Sequence, residues 1–164
     1  MSVAPGRGST VREATGLRTA SGLAFWGGRL LVTDNGADHV SPSPDQLFAF
    51  APGGSVVNFG FPRCYGQGGP ACAAFPKPLT IFPAHSTPEG IAVKGDVAYI
   101  ADNGTSILPS PAPSEIVRVD LRTGRRSVFW RAPHQQDLVA VAIGPDGKLY
   151  ATLLTSGKVV RLGL

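Results

Sequence analysis

Residues Ser21–Ala37 read SGLAFWGGRLLVTDNGA, and residues Glu89–Thr105 read EGIAVKGDVAYIADNGT. Aligned, the two stretches share a glycine, a short apolar run, a turn pair, a second apolar run and a closing Asp-Asn-Gly. A weaker third copy, VAVAIGPDGKLYAT, spans Val139–Thr152. Gly22 and Gly90 stand 68 residues apart, and Gly90 and Ala140 stand 50 apart. Repeats of about 40–50 residues built from short strands have the spacing of propeller blades. The longer first interval marks the stretch from Pro62 to Pro88 as an insertion.

Each copy follows the same physical plan. A first apolar strand (Leu23–Phe25, Ile91–Val93, Val141–Ile143) meets a tight turn at Gly27-Gly28, Gly95-Asp96 or Pro145-Asp146-Gly147. A second follows at Leu30–Thr33, Val97–Ala101 and Leu149–Thr152. Such near-continuous apolar runs suit strands covered on both faces by neighbouring sheets. Third strands are expected at Gln46–Phe50, Glu115–Leu121 and Lys158–Leu162, the second of these alternating as a half-buried strand does. Arg126–Trp130 is read as a fourth, outer strand, and Val11–Ala14 as an orphan outer strand for a preceding blade.

The expected fold is all-β, a partial β-propeller over residues 10–164 behind a flexible terminus at 1–9. Blades fall at roughly 20–62, 89–131 and 138–164, the last lacking its outer strand. About three blades cannot close a ring, because propellers typically use four to eight. The open ends are covered by a missing N-terminal half, by a second copy in a homodimer, or not at all, as in an open solenoid; the missing half is the preferred reading.

Composition narrows the function classes. Hydrophobic residues make up 43% of the 164 and charged residues 16%, which argues against extensive disorder. The net charge of +4 is scattered. Its densest cluster, Arg122, Arg125 and Arg126, lacks interleaved aromatics, so the charge reads as solvated surface rather than a nucleic-acid platform. No apolar run approaches a membrane span, and Met1–Thr10 has no apolar signal-peptide core. Cys64 and Cys72 lie in a Gly/Pro-rich loop without a second cysteine pair or a histidine pair, which disfavours zinc. They are read as a local disulfide or as two unpaired thiols. The disulfide would imply an oxidising compartment.

Four segments in order resemble the glucose/sorbosone dehydrogenase family, soluble six-bladed (TolB-like) propellers that use pyrroloquinoline quinone (PQQ) and calcium. Gly16–Phe25 (GLRTASGLAF) is similar to the family's G-L-R-N-x-x-G-L-A pattern. Thr33–Ala37 followed by Asp45-Gln46-Leu47 resembles E/D-x-G-P and D-E-L-N. Val57–Gly66 (VNFGFPRCYG) resembles x-N-Y-G-W-P-x-C-x-G, and Pro83–Ala92 (PAHSTPEGIA) resembles P-A-H-S-A-P-x-G-I-A. The likeness thins after Gly104.

The resemblance implies hydride removal from a small sugar or aldehyde to the quinone, with a histidine base and calcium polarising the quinone oxygens. By position Arg18 faces the quinone, with Thr19 beside it, and the carbonyls of Gly36 and Ala37 hold the calcium; the alternative for Arg18 is a solvated residue at a strand end. It also implies an extracellular or periplasmic site of action. The departures are as informative. Thr19 replaces an asparagine, Ala37 replaces a proline, and Asp137–Ala140 stands where arginines are expected. No lysine follows Asp102-Asn103-Gly104 convincingly. The base belongs to an earlier blade, so catalysis by this chain alone is not expected.

Other residues carry weaker readings. His85 is a substrate-pocket candidate or a loop histidine bonded to backbone. His39 and His134 read as solvated. The two Asp-Asn-Gly triplets are calcium ligands or simple turns, since Asn-Gly is itself a turn signal. Asn58–Pro62 reads as structural, and Ser106–Ser114 as a loop. Two other functions remain: a non-catalytic propeller module that binds a protein or carbohydrate, and a calcium-dependent lactonase-type hydrolase, for which no third or fourth axial carboxylate is evident.

Overall fold

The computed structural model describes residues 10–37, 43–65, 70–105 and 112–164. The flexible terminus expected at 1–9, His39 and most of the Ser106–Ser114 loop lie outside these residues. Thirteen strands run in chain order: β1 (Ala14–Thr15), β2 (Ala20–Trp26), β3 (Arg29–Asp34), β4 (Gln46–Phe50), β5 (Val57–Asn58), β6 (Thr80–Ile81), β7 (Pro88–Lys94), β8 (Val97–Asp102), β9 (Glu115–Asp120), β10 (Arg126–Arg131), β11 (Leu138–Ile143), β12 (Leu149–Leu153) and β13 (Lys158–Leu162). A single 3₁₀ turn, Pro70–Cys72, is the one helical element among the described residues.

The strands form three main sheets, ordered β2-β3-β4-β6, β7-β8-β9-β10 and β11-β12-β13. All pairings within them are antiparallel. Gly27 and Gly28 both adopt positive φ (52° and 76°), as a two-residue hairpin between β2 and β3 requires.

Sheet packing follows the repeat. Leu31 and Leu47 of the first sheet bury against Ile91, Ala98, Ile100, Val117 and Val119 of the second. The opposite face of the second sheet, carrying Ala92, Tyr99, Ala101 and Ile116, buries against Leu138, Val141, Leu149, Ala151 and Leu153 of the third. The central sheet is thus covered twice, which is why its strands read as apolar runs. Burying this much apolar surface between sheets is the main stabilising contribution, at roughly 25 cal/mol per Å².

Three expectations are corrected. Val11–Ala14 does not lead to an outer strand of a preceding blade. Instead β1 pairs in parallel with β5, fixed by Val57 N–H to the Glu13 carbonyl (3.1 Å) and Phe59 N–H to the Thr15 carbonyl (2.9 Å). The outermost strand of the first sheet is β6, which lies past Pro62 and pairs Leu47 with Thr80. The inner end of β9 is not half-buried: Glu115, Ile116 and Val117 are all buried, because both neighbouring sheets reach it.

Candidate functional site

The residues that precede each innermost strand meet the residues that follow each second strand at one end of the sheet stack. At the first sheet, the Asp34 side chain receives the backbone N–H groups of Arg18 (2.9 Å) and Thr19 (2.8 Å) through Oδ1. That cap fixes the segment leading into β2. It carries the Arg18 side chain across the end of β3, where Nη1 donates to the Gly36 carbonyl at 2.6 Å. Arg18 and Gly36, 18 residues apart, therefore occupy one place.

Asp45 completes this corner. Its Oδ1 accepts from Gly36 N–H (2.6 Å), and its Oδ2 accepts from Thr87 N–H (2.7 Å) at the start of the second sheet. The Ser86 hydroxyl donates to Oδ2 as well, at 3.4 Å. The Ala37 N–H is held by the Ser43 hydroxyl. Gly36 has to be glycine: a Cβ there would stand 2.5 Å from the Ser43 carbonyl. Gly60 lies at φ 104°, with Phe75 and Cys64 within 3 Å of where its Cβ would be. This lets Phe59 pack on Phe48 with ring centroids 4.3 Å apart. Cys64 and Cys72 are joined as a disulfide.

The acids here are held protonated beyond their usual range. Burial raises the Asp34 carboxyl, opposed by the Thr19 and Arg18 N–H bonds. Burial also raises Asp45, opposed by Thr87, Gly36 and Ser86, with the nearby His85 pulling the same way as those bonds. Asp102, which closes β8 as Asp34 closes β3, is pushed up to about 8 by burial and by the neighbouring Asp45 and Glu115, against a Ser86 hydrogen bond and the Arg126 charge.

His85 stands at this same end, half-buried, in the left-handed region (φ 63°), and Thr87 shares that conformation (φ 60°). A β-branched residue there is strained, and the N–H bond from Thr87 to Asp45 is what holds it. His134 belongs to the loop before the third sheet and is exposed. In the second Asp-Asn-Gly triplet, Gly104 takes φ 76° and donates to the Ser86 carbonyl. It is a turn, although the side-chain oxygens Asp102 Oδ1 and Asn103 Oδ1 are buried without partners.

A small cavity of about 20 Å³ lies between Arg18, Asp34, Gly36, Phe59, Phe61 and Tyr65, room for about one water. The Gly36 carbonyl already faces the Arg18 guanidinium, and a calcium ion on the same oxygen would stand against that positive charge. Among the described residues no group of three or more His, Cys, Asp or Glu side chains could hold a metal ion. The arrangement suits an anionic group facing Arg18, and it sets the guanidinium on one of the two carbonyls that the resemblance gives to calcium.

Comparison with solved structures agrees with this architecture. The chain superimposes on a glucose dehydrogenase with TM-score 0.67 and 20% identity, covering 92% of this chain and 45% of that one. It matches a calcium structure of a Trichoderma reesei carbohydrate-active enzyme of family AA12 (TM-score 0.75, 19% identity, 89% of this chain, 52% of that one). A holo form of the pyranose dehydrogenase PQQ domain from Coprinopsis cinerea gives TM-score 0.69 at 17% identity, over 89% and 54%.

The chain has the fold of the PQQ-dependent sugar dehydrogenases. It spans about half the length of these relatives, and three sheets are a fragment of such a propeller. An SVP1-like protein 2 from Emericella nidulans is 31% identical over 87 residues, 53% of this chain and 25% of that protein. No known family profile matches the chain. No helix among the described residues is long and apolar enough to cross a membrane.

The sequence reading assigned Asp45, Ser86 and Thr87 no role, yet they join the first two sheets. A signal was present: Asp45 and Ser114 each stand immediately before a third strand. Ser114 makes the equivalent link to the third sheet, its Oγ accepting from Leu138 N–H at 3.0 Å.

Proposed function

We propose that this chain is the part of a quinone-dependent sugar dehydrogenase-like propeller that supplies the arginine wall of the cofactor site, acting on aldoses or related sugars once the ring is completed. The supporting observation is the 2.6 Å bond from Arg18 to the Gly36 carbonyl, which brings together two positions matched to the family's cofactor site. A guanidinium is a suitable partner for the carboxylates and carbonyls of PQQ. That group, when bound, accepts the hydride; Arg18 and the adjacent Thr19 orient it, and His85 lines the sugar side.

The proton-abstracting base is not among the residues assigned here, so the chain alone binds and does not turn over. The Cys64–Cys72 disulfide supports action in an oxidising compartment, outside the cell or in a periplasm. Purified protein should show saturable PQQ uptake without calcium, and no dye reduction with aldoses. Absence of saturable uptake would reject cofactor binding.

A second reading, a non-catalytic propeller module for a protein or carbohydrate, draws support from the one-water cavity beside Arg18. Saturable quinone binding counts against it.

A further inference from the structure

The outward face of the third sheet carries half of a contact that the first sheet makes in full. In the first sheet the Thr33 hydroxyl accepts from Gly22 N–H (2.7 Å), where β2 is irregular between Ala20 and Leu23. It then donates to the Glu89 carbonyl of the next innermost strand, β7, at 3.1 Å. In the third sheet Thr152 stands at the matching position. Its hydroxyl accepts from Ala140 N–H (3.1 Å), where β11 is irregular between Leu138 and Ala140. Among the described residues it has no acceptor for its own proton. Around it Ala140, Ala142, Tyr150 and Val159 line an open apolar hollow of about 110 Å³.

At the other end of the stack, β2 shows the complementary edge. Ile91 and Val141, which hold the place of Leu23 in the later repeats, are each 9% exposed because a sheet covers them. Leu23 is 63% exposed and Phe25 68%. The carbonyl matching that of Glu89 belongs to Ser21, on the same strand.

We infer that these two faces are each other's partners: a second copy of the chain docks its β2 against β11 and β12, and two such contacts close a ring of six sheets. The occupant is a second copy because this chain itself presents the strand irregularity, the carbonyl and the apolar side chains that Thr152 and its hollow lack. The small residues at the contact are continuous with those inside the chain. A Cβ on Gly90 would stand 2.8 Å from the Ala140 Cα, and one on Gly22 only 1.9 Å from the Glu89 carbonyl. Ala140 carries that Cβ, so the new contact is wider, and Phe25, larger than the Val93 at its place in the next repeat, fills it. A head-to-tail contact of this kind is satisfied only by closure.

This inference rests on the fold and not on quinone binding, so either can fail without the other; a ring of two copies would bind the quinone but, lacking the base, would not turn over. Light scattering during size exclusion at micromolar protein should give twice the 17.0 kDa chain mass. Phe25→Asp and Thr152→Arg alter exposed side chains on opposite faces, and each should yield a monomer with unchanged circular dichroism. Mixing the two variants should restore a heterodimer through the one intact pair of faces. A monomeric wild type, a mass above two chains, or a dimer sensitive to only one variant would overturn the proposal. The first of these is the outcome expected if further blades of a longer chain fill the faces instead.

Discussion

Thr87 donates its backbone N–H to Asp45 Oδ2 at 2.7 Å across the boundary between the first and second sheets, and does so from φ 60°. The same carboxylate holds Gly36 N–H at 2.6 Å. One buried side chain therefore couples the sheet boundary to the end of β3 where Arg18 lies. Asp45→Ala strips both N–H groups of their acceptor and should destabilise the chain by about 3 kcal/mol, since each unsatisfied buried donor costs roughly 1–3 kcal/mol. Asp45→Asn keeps one acceptor and should lose less. Urea unfolding of the three proteins measures the order; equal stability of wild type and Asp45→Ala would show the bridge to be idle.

Asp102 sets a pH dependence. Its folded pKa of about 8 lies above its ordinary 3.8, so the folded state binds this proton more tightly than the unfolded one. Stability is fully present below about pH 4 and declines as pH rises from there to 8. Asp34 and Asp45 push the same way, while the exposed Asp96, Asp120 and Asp146, held low by hydrogen bonds, push the other. Asp102→Asn should flatten the fall between pH 4 and 8 and leave the variant more stable than wild type at pH 8. An unchanged slope would place the titration elsewhere.

Much of this was legible beforehand, for a physical reason. The inner strands are apolar runs ended by glycine turns, and both signals are local: Gly27-Gly28 alone specifies the β2–β3 hairpin. What escaped is what depends on distant partners. The strand Thr80–Ile81 has two residues, too few to show a period, and exists because Leu47 offers an edge 33 positions earlier. Ala14–Thr15 is strand only through Val57–Asn58. At the site, Arg18 and Gly36 were found from their motifs, but that the arginine would take the very carbonyl expected for calcium follows from side-chain reach, which spacing does not encode.

Gly90 marks a close approach of the innermost strands β7 and β11. Gly90→Ala places a methyl group 2.8 Å from the Ala140 Cα and 3.0 Å from the Val139 carbonyl. Both neighbours are backbone, so the sheets must part, at a cost of about 1–3 kcal/mol. Thermal unfolding reads this directly. A midpoint equal to wild type would mean that the second and third sheets pack less tightly than described.

Reduction of Cys64–Cys72 releases a short loop whose closure contributes about 2–3 kcal/mol in the chain-entropy account. Because Cys64 also lines the cavity with Phe61 and Tyr65, reduction should lower stability and shift the Tyr65 fluorescence. Denaturant titration with and without reductant tests it, and no difference in midpoint would contradict it.

The most direct measurement is a PQQ titration of the wild type and of Arg18→Ala, each with and without added calcium. The account predicts saturable binding by the wild type that calcium does not strengthen, and at least tenfold weaker binding when Arg18 is removed, a loss of about 1.4 kcal/mol. Equal quinone affinity in both proteins, or wild-type binding that appears only with calcium, would contradict it.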